Sequence, residues 1–168
     1  MQTSTESTVA APRTSGSDRL WATTVGGDVA FLLARANALS LANAHAAAAE
    51  YGLKVRSYSV LAIAVSDMRP TQRELSEFLQ LDPSQIVALV DELESRALVR
   101  REPDPNDRRA NVVVATDEGR ALFAEAHAKV AGTERTTFGS LSDQERMTLT
   151  SMLRRLADAP DAPDALPA

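Results

Sequence analysis

The chain has 168 residues, 44% of them hydrophobic, with no cysteine and a formal net charge of −5. This length and apolar content suit one domain with a real core, and the lack of cysteine excludes disulfides and thiolate metal sites. No run of about 18 apolar residues exists, which excludes a membrane-spanning helix, and the N-terminal region lacks the basic and apolar segments of a signal peptide. We therefore expect a cytoplasmic protein with no membrane partner.

The first third of the chain predicts a tail and two helices. Residues 1–17 are rich in Ser, Thr, Ala and Pro without an apolar period, which predicts disorder. Residues 28–50 are rich in Ala and Leu near helical spacing, and Gly52 suits the left-handed cap of a long helix. A second apolar helix is predicted from residue 57 to residue 67. Pro70 separates this helix from the next element.

Two helix starts then follow in close succession. Thr71 and Glu74 form a capping-box pattern, in which each residue can bond the backbone N–H of the other. Asp82 and Gln85 repeat the pattern, with Pro83 at the first helical position. The second helix carries apolar residues at i, i+3, i+4 and i+7, a stripe that must face a core: Ile86, Leu89, Val90 and Leu93.

Two β-prone runs come next. Residues 97–101 and 111–114 surround a polar loop of Glu, Pro, Asp, Asn and Arg, which predicts a hairpin with an exposed tip. The stretch from residue 71 to residue 116 is therefore typical of a helix-turn-helix followed by a wing.

Two more helices complete the predicted order. Thr116 caps a helix with two acids in its first turn, and this helix runs to about residue 137. Ser142 and Glu145 form a third capping box at the start of a last helix. Residues 158–168 alternate Asp, Ala and Pro, which predicts a disordered acidic tail.

The predicted fold is mainly α with a small β-hairpin wing: a winged helix-turn-helix core flanked by N- and C-terminal dimerisation helices, in one domain of residues 18–157. Long helices that are apolar on more than one face need a partner, so residues 28–50 and 117–157 are assigned to a two-fold homodimer. Residues 55–116 are the predicted DNA-binding part. Because nine acidic residues lie from Glu74 to Asp107, phosphate binding would require acids and arginines on opposite faces.

The order of elements resembles the MarR family of bacterial transcription regulators. The resemblance covers roughly residues 28–157, and the wing followed by the next helix start is its most specific part, since a helix-turn-helix alone hosts many functions. It is carried by five segments, ELSEFL at 74–79, LVDELE at 89–94, LVRR at 98–101, DPNDRR at 104–109 and TDEG at 116–119.

The resemblance implies a homodimeric repressor on a pseudo-palindromic double-stranded DNA operator, with recognition helices in successive major grooves. It also implies a small, often aromatic or phenolic, effector that binds between the dimer helices and the winged core and releases the DNA. Carried over residue by residue, Arg109 would enter the minor groove, with Asp107 orienting it and Arg108 beside it. Ser84 and Gln85 would meet phosphates and base edges at the start of the recognition helix.

The match departs from the family at four positions. Val87 and Ala88 stand where many members have Ser or Thr and then Arg, so the common contact from arginine to guanine is absent there. Val87 could instead contact a thymine methyl group. Gln80 and Ala97 stand where the family often has Gly, and each would be strained if its backbone is left-handed.

Several basic residues keep two interpretations. Arg73 could bind a phosphate or be solvated. Of Arg100 and Arg101, one could face DNA while the other pairs with Glu102 or another acid. The wing arginines could form an ordinary solvated hairpin tip, although the whole element order favours DNA contact.

For the effector, four polar residues among apolar neighbours are candidates: Arg35, Asn37, His45 and Tyr58. Trp21 could line a pocket or merely fix the N-terminal segment. His45 and His127 are the only histidines, and their spacing predicts no metal site; each is expected to be either a helix-face polar residue or a hydrogen-bond donor of the ligand pocket. The sequence has no nucleophile elbow, no phosphate-binding glycine loop and no cysteine, so we predict no catalytic residues, no cofactor and no enzyme activity. The alternative function is a winged-helix protein-interaction module that no longer binds DNA specifically.

Overall fold

The computed structural model describes residues 18–105, 107 and 109–158, apart from the side chain of Glu134. The predicted tail of residues 1–17 lies outside the described residues, and so does the predicted acidic tail from residue 159 onward. Within the described residues, no helix is long and apolar enough to cross a membrane.

Two short 3₁₀ helices at Asp18–Ala22 and Thr24–Gly27 precede the regular elements. The predicted order, six α-helices with a hairpin between the fourth and fifth, is confirmed for the described residues. The elements are α1 Val29–Ala49, α2 Val55–Val65, α3 Gln72–Leu79, α4 Pro83–Ser95, β1 Val99–Pro103, β2 Asn111–Ala115, α5 Asp117–Thr137 and α6 Asp143–Ala157.

The chain divides into two compact units, residues 1–39 and residues 40–168. In the described part of the first unit, the Arg35 guanidinium carbon lies 5.3 Å from the centre of the Trp21 ring. A Cβ on Gly26, in the second 3₁₀ helix, would lie 2.3 Å from the carbonyl oxygen of Trp21 in the first. Only glycine therefore fits at this position. The Asp28 carboxylate accepts a hydrogen bond of 2.8 Å from the backbone N–H of Phe31 and so caps the start of α1.

The core of the second unit lies between α2, α4, the hairpin and α5. The predicted stripe of α4 faces it, with Ile86, Val90 and Leu93 fully buried and Leu89 at its edge. Each fully buried aliphatic side chain contributes about 1.5–3 kcal/mol of transfer free energy. The other buried side chains of this core include Val60, Leu61, Leu75, Val99, Val113 and Ala126.

The hairpin is antiparallel, and Val99 pairs with Ala115 at its base while Pro103 pairs with Asn111 near its tip. Its first strand begins two residues later than predicted, because Ala97 has a left-handed backbone, with φ 56°, and ends α4 instead of entering the strand. The base of the hairpin is joined to the turn before α3, since the backbone N–H of Val113 donates to the carbonyl of Pro70 at 2.8 Å.

All three predicted capping boxes form, at Thr71, Asp82 and Ser142. The backbone N–H and then the hydroxyl of Thr71 bond the Glu74 carboxylate and lower its pKa. Each box fixes a helix start and contributes on the order of 1 kcal/mol.

Candidate nucleic-acid interface

Helix α4 presents an outward face between two flanks. Successive residues lie about 100° apart around a helix, so its four predicted DNA contacts, all exposed, fall on adjacent parts of one surface. The outward face carries Ser84, Ala88 and Ser95. Asp91 lies on the same outward face, where its side chain is 59% exposed and its carboxylate is paired with Arg101. One flank carries Gln85, Leu89 and Glu92, and the other carries Val87 and Glu94. The side chains of the outward face are short, and Val87 on the flank is 42% exposed.

The Gln85 side chain has a structural role in addition to its predicted contact with DNA. Its Oε1 atom accepts a hydrogen bond of 3.3 Å from the backbone N–H of Asp82 and completes the second capping box. This bond is long, so releasing it to let the amide pair with a base costs little compared with an ordinary hydrogen bond.

Arg73 lies on α3, beside a cleft that Val87 also lines. Its guanidinium donates to the Glu77 carboxylate at 2.8 Å, and this hydrogen bond raises the pKa of Arg73. The side chain is 87% exposed, so the pair is a solvated one that a phosphate could replace.

The base of the wing is tied to α3 and α4 by Arg101. Its guanidinium donates to the Gln72 side chain at 2.8 Å and to the Asp91 carboxylate at 2.6 Å, and it also pairs with Glu94. The backbone N–H of Arg101 donates to Glu94 as well, at 3.0 Å. One half-buried side chain therefore fixes the orientation of the wing relative to the helix-turn-helix.

The neighbouring Arg100 is also paired, with Glu102 at 2.7 Å, and Arg69 binds the same carboxylate at 2.7 Å. These two bonds, that of Arg100 first, lower the pKa of Glu102. In this structure both Arg100 and Arg101 bind acids, whereas the sequence interpretation expected one of them to pair with an acid and the other to face DNA. The acids of this region are interleaved with the arginines and not segregated onto an opposite face.

At the wing tip, the Asp107 carboxylate accepts a hydrogen bond of 2.9 Å from the backbone N–H of Arg109. Asp107 thus holds the turn itself, whereas the resemblance implied that it orients the guanidinium. The guanidinium of Arg109 forms no hydrogen bond or ion pair within the described residues and is exposed. Arg108 lies outside the described residues.

The four effector candidates are divided between the two compact units. Arg35 and Asn37 belong to the first unit and His45 and Tyr58 to the second. Arg35 lines a small cavity of about 290 Å³ together with Trp21, so Trp21 does line a pocket. Asn37 is exposed and makes no side-chain hydrogen bond within the described residues.

His45 lines a larger cleft of about 800 Å³ that α4 also borders. The cleft lies between the end of α1, the start of α2 and the flank of α4 that carries Gln85. Its walls are mainly apolar, with basic groups at the rim, so it suits an aromatic ligand that carries an acidic group. The lining residues are Leu41, His45, Ala49, Leu53, Lys54, Val55, Arg56, Gln85, Ala88, Leu89 and Glu92.

Tyr58 does not line this cleft and contacts α5 instead. Its hydroxyl lies 2.8 Å from Nδ1 of His127, and the Phe123 ring lies 5.5 Å from the Tyr58 ring and 5.2 Å from the His127 ring. The sequence left His127 open as either a helix-face polar residue or a hydrogen-bond donor of the ligand pocket, and it did not pair Tyr58 with His127. Its spacing of four residues from Phe123 was the available signal, but the contact with Tyr58 depends on the packing of α2 against α5.

Within the described residues, no group of three or more His, Asp or Glu side chains could hold a metal ion. The features of this region are therefore an exposed helix face, a wing and a cleft.

The comparisons with known proteins agree with this arrangement. The model of the MarR family matches residues 51–110. The X-ray structure of a transcriptional regulator (MarR family) from Rhodococcus sp. RHA1 is 38% identical, with a TM-score of 0.75 over 80% of this chain and 97% of that one. The chain belongs to the MarR family.

Two further relatives have names that say what they bind or do. CouR from Rhodococcus jostii RHA1, solved with p-coumaroyl-CoA bound, is 37% identical, with a TM-score of 0.76 over 83% of this chain and 99% of that one. The HTH-type transcriptional repressor NicR from Pseudomonas putida is 33% identical over 97 residues, 57% of this chain and 61% of the relative. The match therefore spans about three fifths of that curated relative.

Proposed function

We propose that this MarR-family chain is a dimeric, sequence-specific DNA-binding regulator of transcription in the bacterial cytoplasm. In this proposal it represses its target genes and is released from DNA by a small aromatic effector. The protein acts by binding DNA and the effector, without catalysis. Residues 55–116 bind DNA, and the helices of residues 28–50 and 117–157 form the dimer. The observation that carries the proposal is the exposed face of α4 beside a wing whose Arg109 guanidinium has no partner among the described residues.

DNA recognition in this proposal combines one helix and one wing. The first turn of α4 offers the Ser84 and Gln85 side chains to phosphates and base edges in the major groove. The small outward face lets the helix approach the base edges closely, and Val87 suits a thymine methyl group. Arg109 reaches the adjacent minor groove, where a narrow A·T-rich segment attracts a guanidinium. Arg101 keeps the two contacts at a fixed separation.

Dimer formation is supported by apolar surface that the single chain leaves exposed. On α1, Val29 is 77% exposed and Leu39 is 56% exposed. On α6, which has no buried residue, Met147 and Leu156 are 60% and 62% exposed. A two-fold partner that covers these helices would place two recognition helices about 34 Å apart, one turn of DNA.

The effector proposal rests on the His45 cleft. An aromatic acid in this cleft would place its ring among the apolar walls and its carboxylate near the basic rim. Because Gln85 and Ala88 line the same cleft, a bound ligand would alter the flank of the recognition helix directly. CouR binds an aromatic CoA thioester, so we propose that the effector of this chain is an aromatic acid or its CoA thioester.

A second candidate, a protein-interaction module without specific DNA binding, is favoured by one observation. Arg73, Arg100 and Arg101 are all paired with acids, and the charged group on the outward face of α4 is the Asp91 carboxylate, which does not attract DNA. The two candidates differ in their response to salt, because phosphate contacts release counterions and protein contacts do so far less.

The experiment measures binding of the full-length protein to duplexes from the region upstream of its own gene by fluorescence anisotropy. We expect one duplex to bind much more tightly than a scrambled duplex of equal length, with affinity that falls steeply as salt rises. Addition of p-coumaroyl-CoA or of a free aromatic acid should then weaken specific binding. Equal affinity for the upstream and scrambled duplexes at every salt concentration would support the second candidate.

A further inference from the structure

Most described basic side chains between residues 54 and 116 already form a hydrogen bond or an ion pair within the chain. Lys54 lies 3.5 Å from the Glu92 carboxylate, and Arg96 donates to the backbone carbonyls of Gly52 and Tyr51. The other four paired arginines bind carboxylates and are Arg69, Arg73, Arg100 and Arg101.

Two arginines of the core differ from these. Among the described residues from 54 to 116, only the guanidinium groups of Arg56 and Arg109 form no hydrogen bond and no ion pair. Both side chains are exposed. Arg109 is proposed to bind in the minor groove, whereas the proposed function gives Arg56 no role.

Arg56 lies in the first turn of α2, next to one flank of the recognition helix. It lines the His45 cleft together with Gln85 and Ala88, two residues of the proposed DNA surface. The only carboxylate on the cleft wall belongs to Glu92, which lies near Lys54. This side of the recognition helix therefore has an arginine whose charge no acid offsets.

The wing lies on the other flank. Arg101 at its base contacts Glu94, which is on the opposite side of α4 from Gln85, and it also contacts Asp91 on the outward face. The outward face of the recognition helix is thus placed between Arg109 and Arg56, an unpaired arginine on either side.

We propose that Arg56 binds a phosphate of the DNA backbone on the side of the recognition helix opposite the wing, with Lys54 as the weaker second cation. This inference rests on the proposed DNA-binding function. A guanidinium matches the geometry of a phosphate with two parallel hydrogen bonds. Such a contact fixes the position of the helix on the duplex and carries no sequence information. It also shows how a chain of net charge −5 can present positive charge where the DNA lies.

The test compares Arg56→Gln with Arg135→Gln, which removes the same charge from an exposed arginine at the end of α5 that has no acid partner within the described residues. Affinities for the operator and for a scrambled duplex are measured across a range of salt concentrations. We expect Arg56→Gln to weaken both by a similar factor, about three- to tenfold at low salt, and to reduce the salt slope by about 1 per protomer. Arg135→Gln should leave the slope unchanged, and Arg56→Lys should largely restore it.

Three results would overturn the inference: an unchanged salt slope, a loss of affinity confined to the operator, or a change in effector response without a change in DNA affinity. The last result would identify the cleft as an anion site for the effector alone. A thermal melt of each variant shows whether it is folded, and Arg56→Lys keeps the test decisive if Arg56→Gln is unstable. If the wild-type protein shows no preference for the operator, the proposed function fails, whatever Arg56 does.

Discussion

Arg96 joins the end of the recognition helix to the turn between α1 and α2, because its guanidinium donates a hydrogen bond of 2.7 Å to the carbonyl of Gly52. Gly52 has φ 66°, so the glycine allows the left-handed turn that presents its carbonyl to Arg96. A second bond of 3.1 Å reaches the carbonyl of Tyr51. The helix that would read DNA is thereby connected to the long helix α1.

We predict that Arg96→Ala lowers the free energy of unfolding by about 1 kcal/mol, since two charge-assisted bonds are lost at an exposed site. The corresponding fall in Tm is about 2–4 °C for a chain of this size. Differential scanning calorimetry measures both quantities. Arg155→Ala, an exposed arginine of α6 with no acid partner in the described residues, is the control and should change Tm little. Equal changes in Tm for Arg96→Ala and Arg155→Ala would mean that the contact of Arg96 with Gly52 and Tyr51 does not stabilise the fold.

Arg101 is expected to matter for both stability and DNA binding. Arg101→Leu leaves Glu94 and Gln72 without their partner beside the core, and we predict a loss of about 2 kcal/mol. Operator affinity should fall further than the fraction of folded protein explains, because the wing is no longer held against α4. Urea unfolding and DNA titration measure the two effects. Arg100→Leu is the matched control, since Glu102 keeps Arg69 as its partner. If Arg101→Leu binds the operator with wild-type affinity, Arg101 does not position the wing for DNA binding.

Ala97 stands in a left-handed backbone, with φ 56°, that costs a residue with a Cβ about 1–2 kcal/mol. We predict that Ala97→Gly raises the free energy of unfolding by up to about 1 kcal/mol, because the relief of this strain exceeds the added chain entropy of glycine. Chemical denaturation measures the change. Ala124→Gly, at an exposed site inside α5, should lower stability by about 1 kcal/mol. Destabilisation by Ala97→Gly would show that the turn is not strained.

Glu145 provides a prediction about pH. The hydroxyl and then the backbone N–H of Ser142 lower its pKa in the folded protein below the ordinary value of 4.5. The carboxylate therefore stabilises α6 fully above that value, and the stabilisation is lost as the pH falls through the lowered folded pKa. Glu145→Gln should reduce the loss of stability of the protein between neutral and acidic pH. Thermal melts at a series of pH values measure this difference, and identical pH profiles for variant and wild type would contradict it.

The predictable features of this chain were local ones. The capping boxes at Thr71, Asp82 and Ser142 and the stripe of α4 depend on residues three or four positions apart, so the sequence contains all the information that determines them. The strand start at Val99 was predicted two residues early because the backbone at Ala97 depends on how the chain leaves α4.

The features that could not be predicted join distant parts of the chain. The binding of Arg101 to Gln72 crosses 29 residues, and the contact of Tyr58 with His127 crosses 69. Which of several arginines is paired and which is free also follows from such contacts. For this reason the sequence assigned Arg109 to DNA and left Arg73 open between a phosphate contact and solvation, and it did not single out Arg56 at all.

The central claim is that this chain reads DNA with its recognition helix and an unpaired wing arginine. The most direct measurement is the affinity of Arg109→Ala for the operator duplex and for a scrambled duplex, with Arg135→Ala as control. We predict that Arg109→Ala lowers operator affinity about tenfold, within the range for an arginine that contacts a groove, and lowers affinity for the scrambled duplex less. An operator affinity equal to that of the wild-type protein would contradict the claim.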